Sequence, residues 1–407
     1  MSLLIKNVHA VDSVSCKDEI LDILVENGRI SKIGKDIDFT ADRTIEGNGK
    51  LVAFTGLFDM HIHLRDPGFT YKEDILTGTN AAKAGGFTAV ACMPNTNPTI
   101  DSPETIKYIL DKSSNTGVSV YPVACITKSM VGNELADFEN LKNAGAIAVS
   151  DDGRPVENAE LMRQALELSN DNGLTVISHC EDLNIIDGGI INKGEISKKL
   201  GVKGMDRASE DYITAREIAL AMSCDAHIHI AHVSTEGSIN IIRAAKKDGA
   251  NVTCETCPHY FTYTDDKLLS LDADYRMNPP LRTEKDRLAI ENAVLDGTID
   301  CIVTDHAPHS KEDKADFYKA PNGVVGLETS LAVTLTRLYH TGKCSLIKIS
   351  EIMSENPRKV LGLKPLSLEV GQPADITIVD MDLEWEVKPE KLVSKSKNTV
   401  FKGEKLK

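Results

Sequence analysis

The chain has 407 residues, of which 26% are charged and 41% are hydrophobic, as in an ordinary globular protein with one large domain and a smaller one. Its net charge of −15 argues against wide contact with nucleic acid or an anionic membrane, since both favour basic surfaces. No apolar stretch approaches the roughly 20 residues of a membrane span, and the first residues lack a signal-peptide pattern, so we predict a cytoplasmic protein.

Both ends of the chain have the pattern of β structure. Short apolar runs alternate with turns in the first fifty residues, and Glu26-Asn27-Gly28-Arg29 is a strong hairpin signal. Residues 371–380 return to the same pattern near the C-terminus. We predict that residues 1–53 and 346–407 join in a small β-sandwich domain and that residues 54–345 form the larger domain.

Apolar strands alternate with helical segments between the two ends, in the rhythm of a parallel α/β protein. Four helices are marked clearly, at residues 73–84, 158–170, 209–222 and 238–247. An open doubly wound sheet is the alternative fold, but His61-Ile62-His63 occupies the place of its glycine-rich phosphate loop. We predict a closed (β/α)8 barrel of the TIM type with strands at residues 54–59, 88–93, 118–126, 146–150, 175–178, 228–231, 251–255 and 301–304.

The first barrel strand leads into His61-Ile62-His63, which is followed at once by Leu64-Arg65-Asp66-Pro67-Gly68. Alternate residues of a strand face the same way, so His61 and His63 can meet one metal ion. Arg65 has the same parity and adds a fixed positive charge beside the two imidazoles. The pattern predicts a metal site with an anion-binding arginine next to it.

Further candidate ligands follow four other strands. The active site of such a barrel lies at the C-terminal ends of its strands, where Asp151, Asp152, His179, His232 and Asp305 stand. Imidazole and carboxylate are ligands of Zn²⁺ and similar divalent ions, and one tetrahedral ion would not use so many. We predict two metal ions that share a bridging carboxylate. Only one of the two adjacent aspartates can point inward, and the other is expected to cap the turn or helix that follows.

Two other motifs are expected to be structural. His227-Ile228-His229 begins a strand with parity opposite to that of His232, so both histidines should point out of the barrel near its other end. Cys254-Glu255-Thr256-Cys257 has C-x-x-C spacing, but no second pair completes a zinc site and the segment resembles a strand. Most of the nine cysteines are expected to be reduced and buried.

Five motifs together resemble the dihydroorotases of the amidohydrolase superfamily, in particular their long type I form. The resemblance covers nearly the whole chain, including both terminal β segments. It implies a zinc-dependent cyclic amidohydrolase that converts N-carbamoyl-L-aspartate reversibly into (S)-dihydroorotate in pyrimidine biosynthesis. The motifs are His61-Ile62-His63-Leu64-Arg65-Asp66-Pro67-Gly68, Met93-Pro94-Asn95-Thr96, Met277-Asn278-Pro279-Pro280-Leu281-Arg282, Thr304-Asp305-His306-Ala307-Pro308-His309 and Gly326-Leu327-Glu328-Thr329.

The resemblance also implies a role for each site residue. Two Zn²⁺ ions, or other divalent metals, would be held by His61 and His63 on one side and by His179 and His232 on the other. Asp152 would be the bridge, and Asp305 would complete the first site and move the proton between nucleophile and leaving nitrogen. Arg65 would clamp the substrate carboxylate. The implied substrate contacts are His63, Arg65, Asn95, Asn278, His309, Asn322 and Gly323.

Alternatives stay open at this point. A hydantoinase or allantoinase would share the barrel and the metals, although Arg65, Asn95 and an aspartate in place of a carboxylated lysine argue against it. A silent homologue that serves only in assembly would lack metal ligands, and a metal-dependent deaminase fits residues 277–282 poorly. The charged residues 310–318 predict either a mobile lid or a solvated loop. The expected partners are a small-molecule substrate and either a second copy of the chain or aspartate carbamoyltransferase, with neither nucleic acid nor membrane.

Overall fold

The computed structural model describes residues 2–407, which form a parallel barrel and a second sheet built from both ends of the chain. The α-helices are α1 (Ile75–Ala84), α2 (Pro103–Ser113), α3 (Phe138–Ala144), α4 (Ala159–Asn172), α5 (Leu183–Ile186), α6 (Glu195–Leu200), α7 (Ala208–Ser223), α8 (Glu236–Lys247), α9 (Pro258–Thr262), α10 (Glu284–Asp296), α11 (Ser330–Thr334), α12 (Leu346–Ser350) and α13 (Asn356–Val360). The strands are, in chain order, β1 (Ser2–Asp12), β2 (Lys17–Glu26), β3 (Arg29–Gly34), β4 (Arg43–Glu46), β5 (Leu51–Thr55), β6 (Leu57–Ile62), β7 (Phe87–Cys92), β8 (Ser119–Ala124), β9 (Ala148–Val149), β10 (Thr175–Ser178), β11 (Ile191–Asn192), β12 (Gly204–Met205), β13 (Ile228–Ile230), β14 (Val252–Thr256), β15 (Cys301–Ile302), β16 (Ile376–Asp380), β17 (Trp385–Glu386) and β18 (Lys405–Leu406).

The terminal sheet joins the two ends of the chain. Its strand order is β16-β5-β1-β2-β3, with β4 pairing in parallel with β1. The predicted hairpin between β2 and β3 is confirmed, because Asn27 and Gly28 have φ of 52° and 75°, the left-handed pair that a tight hairpin turn needs. Apolar side chains such as Ile5, Val8 and Ile23 pack beneath the sheet.

The eight barrel strands run in the order β15-β14-β13-β10-β9-β8-β7-β6, and their mutual pairings are parallel. The ring closes just beyond its last strand, where the His63 backbone N–H donates to the His306 carbonyl at 2.8 Å. Helices begin at capping side chains such as Asp74, Ser102 and Asn158. The prediction of a (β/α)8 barrel is confirmed.

The first barrel strand begins later than predicted. The predicted strand covers residues 54–59, but residues up to Thr55 belong to β5 of the terminal sheet, and β6 starts at Leu57. The chain passes between the two sheets at Gly56, whose N–H donates to the Asp375 carbonyl at 2.8 Å. Both strands are buried, so one unbroken apolar run concealed the boundary.

Residues 346–360, in the first half of the segment between the barrel and the last strand of the terminal sheet, are helical. Helices α12 and α13 are joined by a π-helical turn at Glu351–Glu355, and the segment contacts β1 of the terminal sheet as well as β6 and β15 of the barrel. The terminal sheet itself is formed by β1 to β5 and β16. The domain limits placed at residues 53 and 346 therefore stay a prediction.

The cysteines and the lengths of the helices bear on two predictions made from composition. All nine cysteines are free and six of them are buried, which confirms the expectation for most of them. Within residues 2–407, none of the helices combines the length and apolarity needed to cross a membrane.

Gly85, at the C-terminal end of α1, packs directly against the backbone of Leu327. A Cβ atom at this position would lie 2.0 Å from the Leu327 carbonyl oxygen. We expect Gly85→Ala to lower the free energy of unfolding by about 1 to 3 kcal/mol, because the backbone must move to admit the methyl group. Gly34→Ala is the matched control, since a Cβ there meets nothing within 4 Å. Equal denaturant midpoints for the two variants would contradict the close packing.

Candidate metal centre and substrate cavity

A cavity of about 250 Å³ lies at the C-terminal ends of the barrel strands. The predicted site residue His61 is fully buried and does not line it. Gly153 and Ala307 contribute to its wall. The other eleven predicted residues line it together, namely His63, Arg65, Asn95, Asp152, His179, His232, Asn278, Asp305, His309, Asn322 and Gly323.

The backbone turns sharply where several of these residues leave their strands. Arg65, His232 and Asp305 have φ of 59°, 31° and 46°, in the left-handed region that residues other than glycine rarely adopt. Such conformations cost about 1 to 3 kcal/mol each and persist where the surrounding structure enforces them. The turns direct the side chains toward the cavity, so simple strand alternation does not predict their direction.

The first group of candidate ligands consists of His61, His63 and Asp152, with Asp305 beside it. The Nε2 atoms of His61 and His63 lie 3.3 Å and 3.4 Å from the two carboxylate oxygens of Asp152. One oxygen of Asp305 lies 3.1 Å from His63 Nε2 and 3.8 Å from His61 Nε2. Burial opposes the charge of Asp305, but His63 and His61 hold the pKa of its carboxyl below the usual value, so it is ionised at neutral pH.

The second group consists of His179, His232 and the same Asp152. His179 Nδ1 and His232 Nε2 lie 2.9 Å apart, and they are 3.5 Å and 3.4 Å from Asp152 Oδ1. His61 Nε2 and Asp152 Oδ1 are buried without a hydrogen-bond partner. Partnerless buried groups of this kind are costly, and imidazole with carboxylate suits a divalent cation, so the donor set fits a metal centre.

Asp151 and Asp152 face different ways. Asp151 Oδ1 accepts from the backbone N–H groups of Ile126 at 2.8 Å and Thr127 at 3.1 Å, in the loop after β8. Its carboxylate therefore fixes that loop, and the expectation that it caps the following turn or helix is wrong. Asp152 is the aspartate that lies among the four histidines.

The far side of His61 contacts Glu255, which the sequence analysis did not single out. His61 Nδ1 lies 2.5 Å from Glu255 Oε1, and the other oxygen of Glu255 lies 3.2 Å from His229 Nε2. All three side chains are fully buried. Burial opposes the charge of Glu255, but His61 and His229 lower its pKa to about 2. A single charged residue in the otherwise uncharged strand β14 was the available signal.

His229 corrects the expectation for the second His-x-His motif. The prediction that it points out of the barrel is wrong, because its ring is fully buried beside Glu255 and lies 2.8 Å from Thr253 Oγ1. The backbone turns at His232, whose positive φ breaks the alternation between the two histidines. The neighbouring His227 contacts the same Thr253 hydroxyl at 2.8 Å.

Two predicted substrate residues also contact the candidate ligands. His63 Nδ1 lies 2.8 Å from Asn95 Oδ1, and Asn95 Nδ2 donates to the Asp152 carbonyl at 3.4 Å, which leaves its second N–H to face the cavity. Asn278 Nδ2 donates to Glu181 at 2.9 Å, and the second oxygen of Glu181 lies 3.6 Å from His179 Nε2. Glu181 is a further residue that the sequence analysis missed.

Positive charge lies beside the ligand groups. Burial lowers the pKa of Arg65 to about 10, so its guanidinium stays charged at neutral pH. Lys72 Nζ lies 3.2 Å from His309 Nδ1, and because an ammonium can only donate, the ring must donate from Nε2 to the Asn322 carbonyl at 2.8 Å. Burial, with Arg65 nearby, lowers the pKa of His309 to about 2 and keeps the ring neutral.

Gly323 and Asn322 form one edge of the cavity. Gly323 has φ of 140°, and a Cβ there would lie 2.7 Å from the Ala307 carbonyl oxygen, so only glycine fits. Asn322 Oδ1 is buried without a hydrogen-bond partner. The Asn322 side-chain oxygen is therefore available at this edge, whereas the Gly323 N–H already donates to the Arg276 carbonyl at 3.0 Å.

The charged segment 310–318 is anchored rather than merely solvated. Lys314 Nζ donates to the backbone carbonyls of Ala273, Arg276 and Pro321 at 2.9–3.1 Å. The ring of Phe317 is buried at 6% exposure in a small apolar cluster. The alternative of a solvated loop is therefore wrong for these two side chains, while motion of the segment as a lid stays a prediction.

The chain is similar to known proteins along nearly its whole length. A family model described as Dihydro-orotase-like matches residues 49–238. A dihydroorotase of Acetivibrio thermocellus is 50% identical over 406 residues, which cover 99% of this chain and 95% of the relative. A dihydroorotase of Geobacter metallireducens is 50% identical over 410 residues, covering 100% of this chain and 96% of the relative.

Solved structures extend the comparison to the fold. An L-hydantoinase (dihydropyrimidinase) from Arthrobacter aurescens superposes with a TM-score of 0.86 at 26% identity, over 99% of this chain and 92% of that one. A dihydropyrimidinase from Brevibacillus agri gives 0.87 at 24% identity, over 100% and 92%, a likeness of fold alone. Because relatives of about 50% identity match over nearly the full length of both chains, the chain belongs to the dihydroorotase family of cyclic amidohydrolases.

Proposed function

We propose roles for the cavity residues in the reaction of this family, the reversible cyclisation of N-carbamoyl-L-aspartate to (S)-dihydroorotate in pyrimidine biosynthesis. One observation carries the proposal: a single cavity of about 250 Å³ is lined by both the imidazole–carboxylate cluster and Arg65. A cyclic amide that bears a carboxylate needs both features, one for the chemistry at its ring carbonyl and one for its negative charge.

The metal centre is proposed to hold two zinc ions. His61, His63 and Asp305 would bind one, His179 and His232 the other, and Asp152 both. When bound, such ions lower the pKa of water from about 16 towards 7 and polarise a carbonyl oxygen. Glu255, through its contact with His61 Nδ1, would hold the His61 ring so that Nε2 is the atom free to bind metal.

Asp305 is proposed to move the proton. During ring opening, a C–O bond forms at the ring carbonyl carbon while the C–N bond breaks. The ionised Asp305 accepts the proton of the attacking water and delivers it to the leaving ring nitrogen. During ring closure, Asp305 accepts the proton that the attacking carbamoyl nitrogen loses and passes it to the departing oxygen. Its position on the cavity wall, 3.1 Å from His63, supports this role.

Substrate binding is proposed to depend on charge and on oriented amides. Arg65 pairs with the substrate carboxylate, which lets an acidic protein bind an anion. Asn95 has its oxygen committed to His63, so it offers an amide N–H, and Asn278 donates to Glu181, so it offers its oxygen. The Asn322–Gly323 edge and His309 complete the site.

A hydantoinase is the second candidate, because solved hydantoinases share the fold. Arg65 at the cavity argues against it, since hydantoin carries no carboxylate for that side chain to pair with. A substrate panel decides between the two. Faster turnover of hydantoin than of dihydroorotate would overturn the proposal.

The cellular location of the protein and its binding partners are also proposed. We propose a cytoplasmic protein that acts on a small molecule, either as a homodimer or in an assembly with aspartate carbamoyltransferase. That enzyme forms carbamoyl-aspartate, which is the substrate for ring closure. Light scattering of the purified chain, alone and mixed with the carbamoyltransferase, separates a homodimer from a mixed assembly, and a monomer in both samples would overturn both.

Asp305→Asn should retain metal and lose turnover. The amide oxygen remains available as a ligand, but the group can no longer accept and return a proton, so we expect kcat to fall about 10²- to 10⁴-fold. Metal content by mass spectrometry and turnover in both directions check the outcome. Normal activity in a variant that has lost its metal would contradict the role.

Arg65→Lys should chiefly weaken substrate binding. Lysine keeps the charge but not the planar fork, so we expect KM for dihydroorotate to rise about 10-fold or more with a smaller change in kcat. Arg163→Lys is the control, because Arg163 pairs with Glu160 on the outer face of α4. An unchanged KM in the Arg65 variant would count against the carboxylate clamp.

Glu255→Gln should weaken metal binding. The amide is a poorer partner for the His61 N–H than a carboxylate, so we expect metal affinity to fall about 10- to 100-fold. Metal retained during dialysis against a chelator measures the effect. Glu217→Gln is the matched control, since Glu217 is equally buried but contacts Arg216 and Ser178. Equal metal retention in the two variants would refute the role of Glu255.

A further inference from the structure

The segment of residues 392–399, here called the C-terminal strap, crosses the loops around the substrate cavity. From residue 392 to residue 398, buried side chains alternate with exposed or half-buried ones in the manner of an extended strand. Ser394 Oγ donates to the carboxylate of Glu73, and Ser396 Oγ donates to the Lys72 carbonyl at 2.6 Å. The inward side of the strap therefore contacts the loop that carries Lys72, the partner of His309.

Two buried or partly buried carboxylates hold the strap in place. Glu328, the acidic residue of the fifth sequence motif, accepts from the backbone N–H groups of Val393 and Ser394 at 2.8–2.9 Å. Glu73 accepts from the Lys395 backbone at 3.1 Å. Its carboxylate also lies 3.4 Å from His306 Nε2, next to Asp305 in sequence. The strap is thus fixed to the barrel on the side of the active site.

Asn398 connects the strap to both sides of the substrate edge. Its Nδ2 donates to the Gly323 carbonyl at 3.0 Å, while its Oδ1 accepts from the His309 backbone N–H at 3.1 Å. Its own carbonyl accepts from the Val325 N–H at 3.0 Å. The side chain is 4% exposed and does not line the cavity. One amide therefore joins the two segments that present His309 and Gly323.

We propose that Asn398 is a positioning residue for the substrate, acting through His309 and Gly323. The amide holds both segments at the spacing that the bound substrate requires, with no contact to the substrate itself. Gly323, with φ of 140°, has no side chain that could hold its segment in place. The side-chain amide of Asn398 supplies that contact instead. The proposal rests on the proposed substrate roles of His309 and Gly323.

Two variants of Asn398 test the proposal. Asn398→Ala removes both hydrogen bonds, and Asn398→Asp keeps the acceptor for His309 while placing an anion against the Gly323 carbonyl. We expect each to raise KM for dihydroorotate about tenfold, with kcat changed about twofold and metal content unchanged. If Asn398→Ala does not fold, the nearly isosteric aspartate variant gives the measurement.

Asn356→Ala is the matched control, because Asn356 Nδ2 donates to the Asp300 carbonyl at 2.8 Å, beside the start of β15 and away from the cavity. It should lower Tm without moving KM. A merely structural role for Asn398 would give the same result, a lower Tm with KM within about twofold, and this would overturn the proposal.

His309→Ala separates failure of this inference from failure of the proposed function. If His309→Ala raises KM and the Asn398 variants do not, only the inference fails. If neither changes KM, the proposed substrate site itself is wrong. Combining His309→Ala with Asn398→Ala should raise KM less than the product of the single effects, because Asn398 acts in part through His309.

Discussion

The active end of the barrel depends on one carboxylate, that of Asp152, which lies between two pairs of histidines. All four imidazole nitrogens that face it are within 3.3–3.5 Å of its oxygens. Such an arrangement leaves Asp152 Oδ1 and His61 Nε2 buried without hydrogen bonds, which a protein tolerates where a cation supplies the missing partner. The five strand ends that converge there are held in place by the closed barrel.

Three residues around this centre connect the candidate metal ligands to other parts of the fold. Glu255 links His61 to His229 in the barrel interior, and Asn95 and Glu181 link His63 and His179 to the cavity wall. The C-terminal strap then joins the terminal part of the chain to the substrate edge. The candidate metal ligands and the candidate substrate residues are thus both held by buried polar contacts to other parts of the fold, as a preorganised site on a rigid scaffold requires.

Much of this arrangement could be predicted because the sequence marks it locally. His61, His63 and Arg65 lie at one strand end, and the parallel rhythm of the chain predicts the barrel that gathers the other ligands. The errors have physical causes. The apolar residues on both sides of Gly56 are buried, so their pattern does not show where one strand ends and the next begins. The positive φ at His232 interrupts strand alternation, so the direction of His229 could not be inferred from that of His232. Contacts such as that of Asn398 join residues 75 positions apart and follow from the folded chain alone.

Metal content measured together with turnover of the isolated chain tests the central claim most directly. We predict two zinc ions per chain, loss of both directions of the reaction when a chelator removes them, and recovery on adding zinc back. Carbamoyl-aspartate should then cyclise without any other protein. Full activity in metal-free protein would contradict the account.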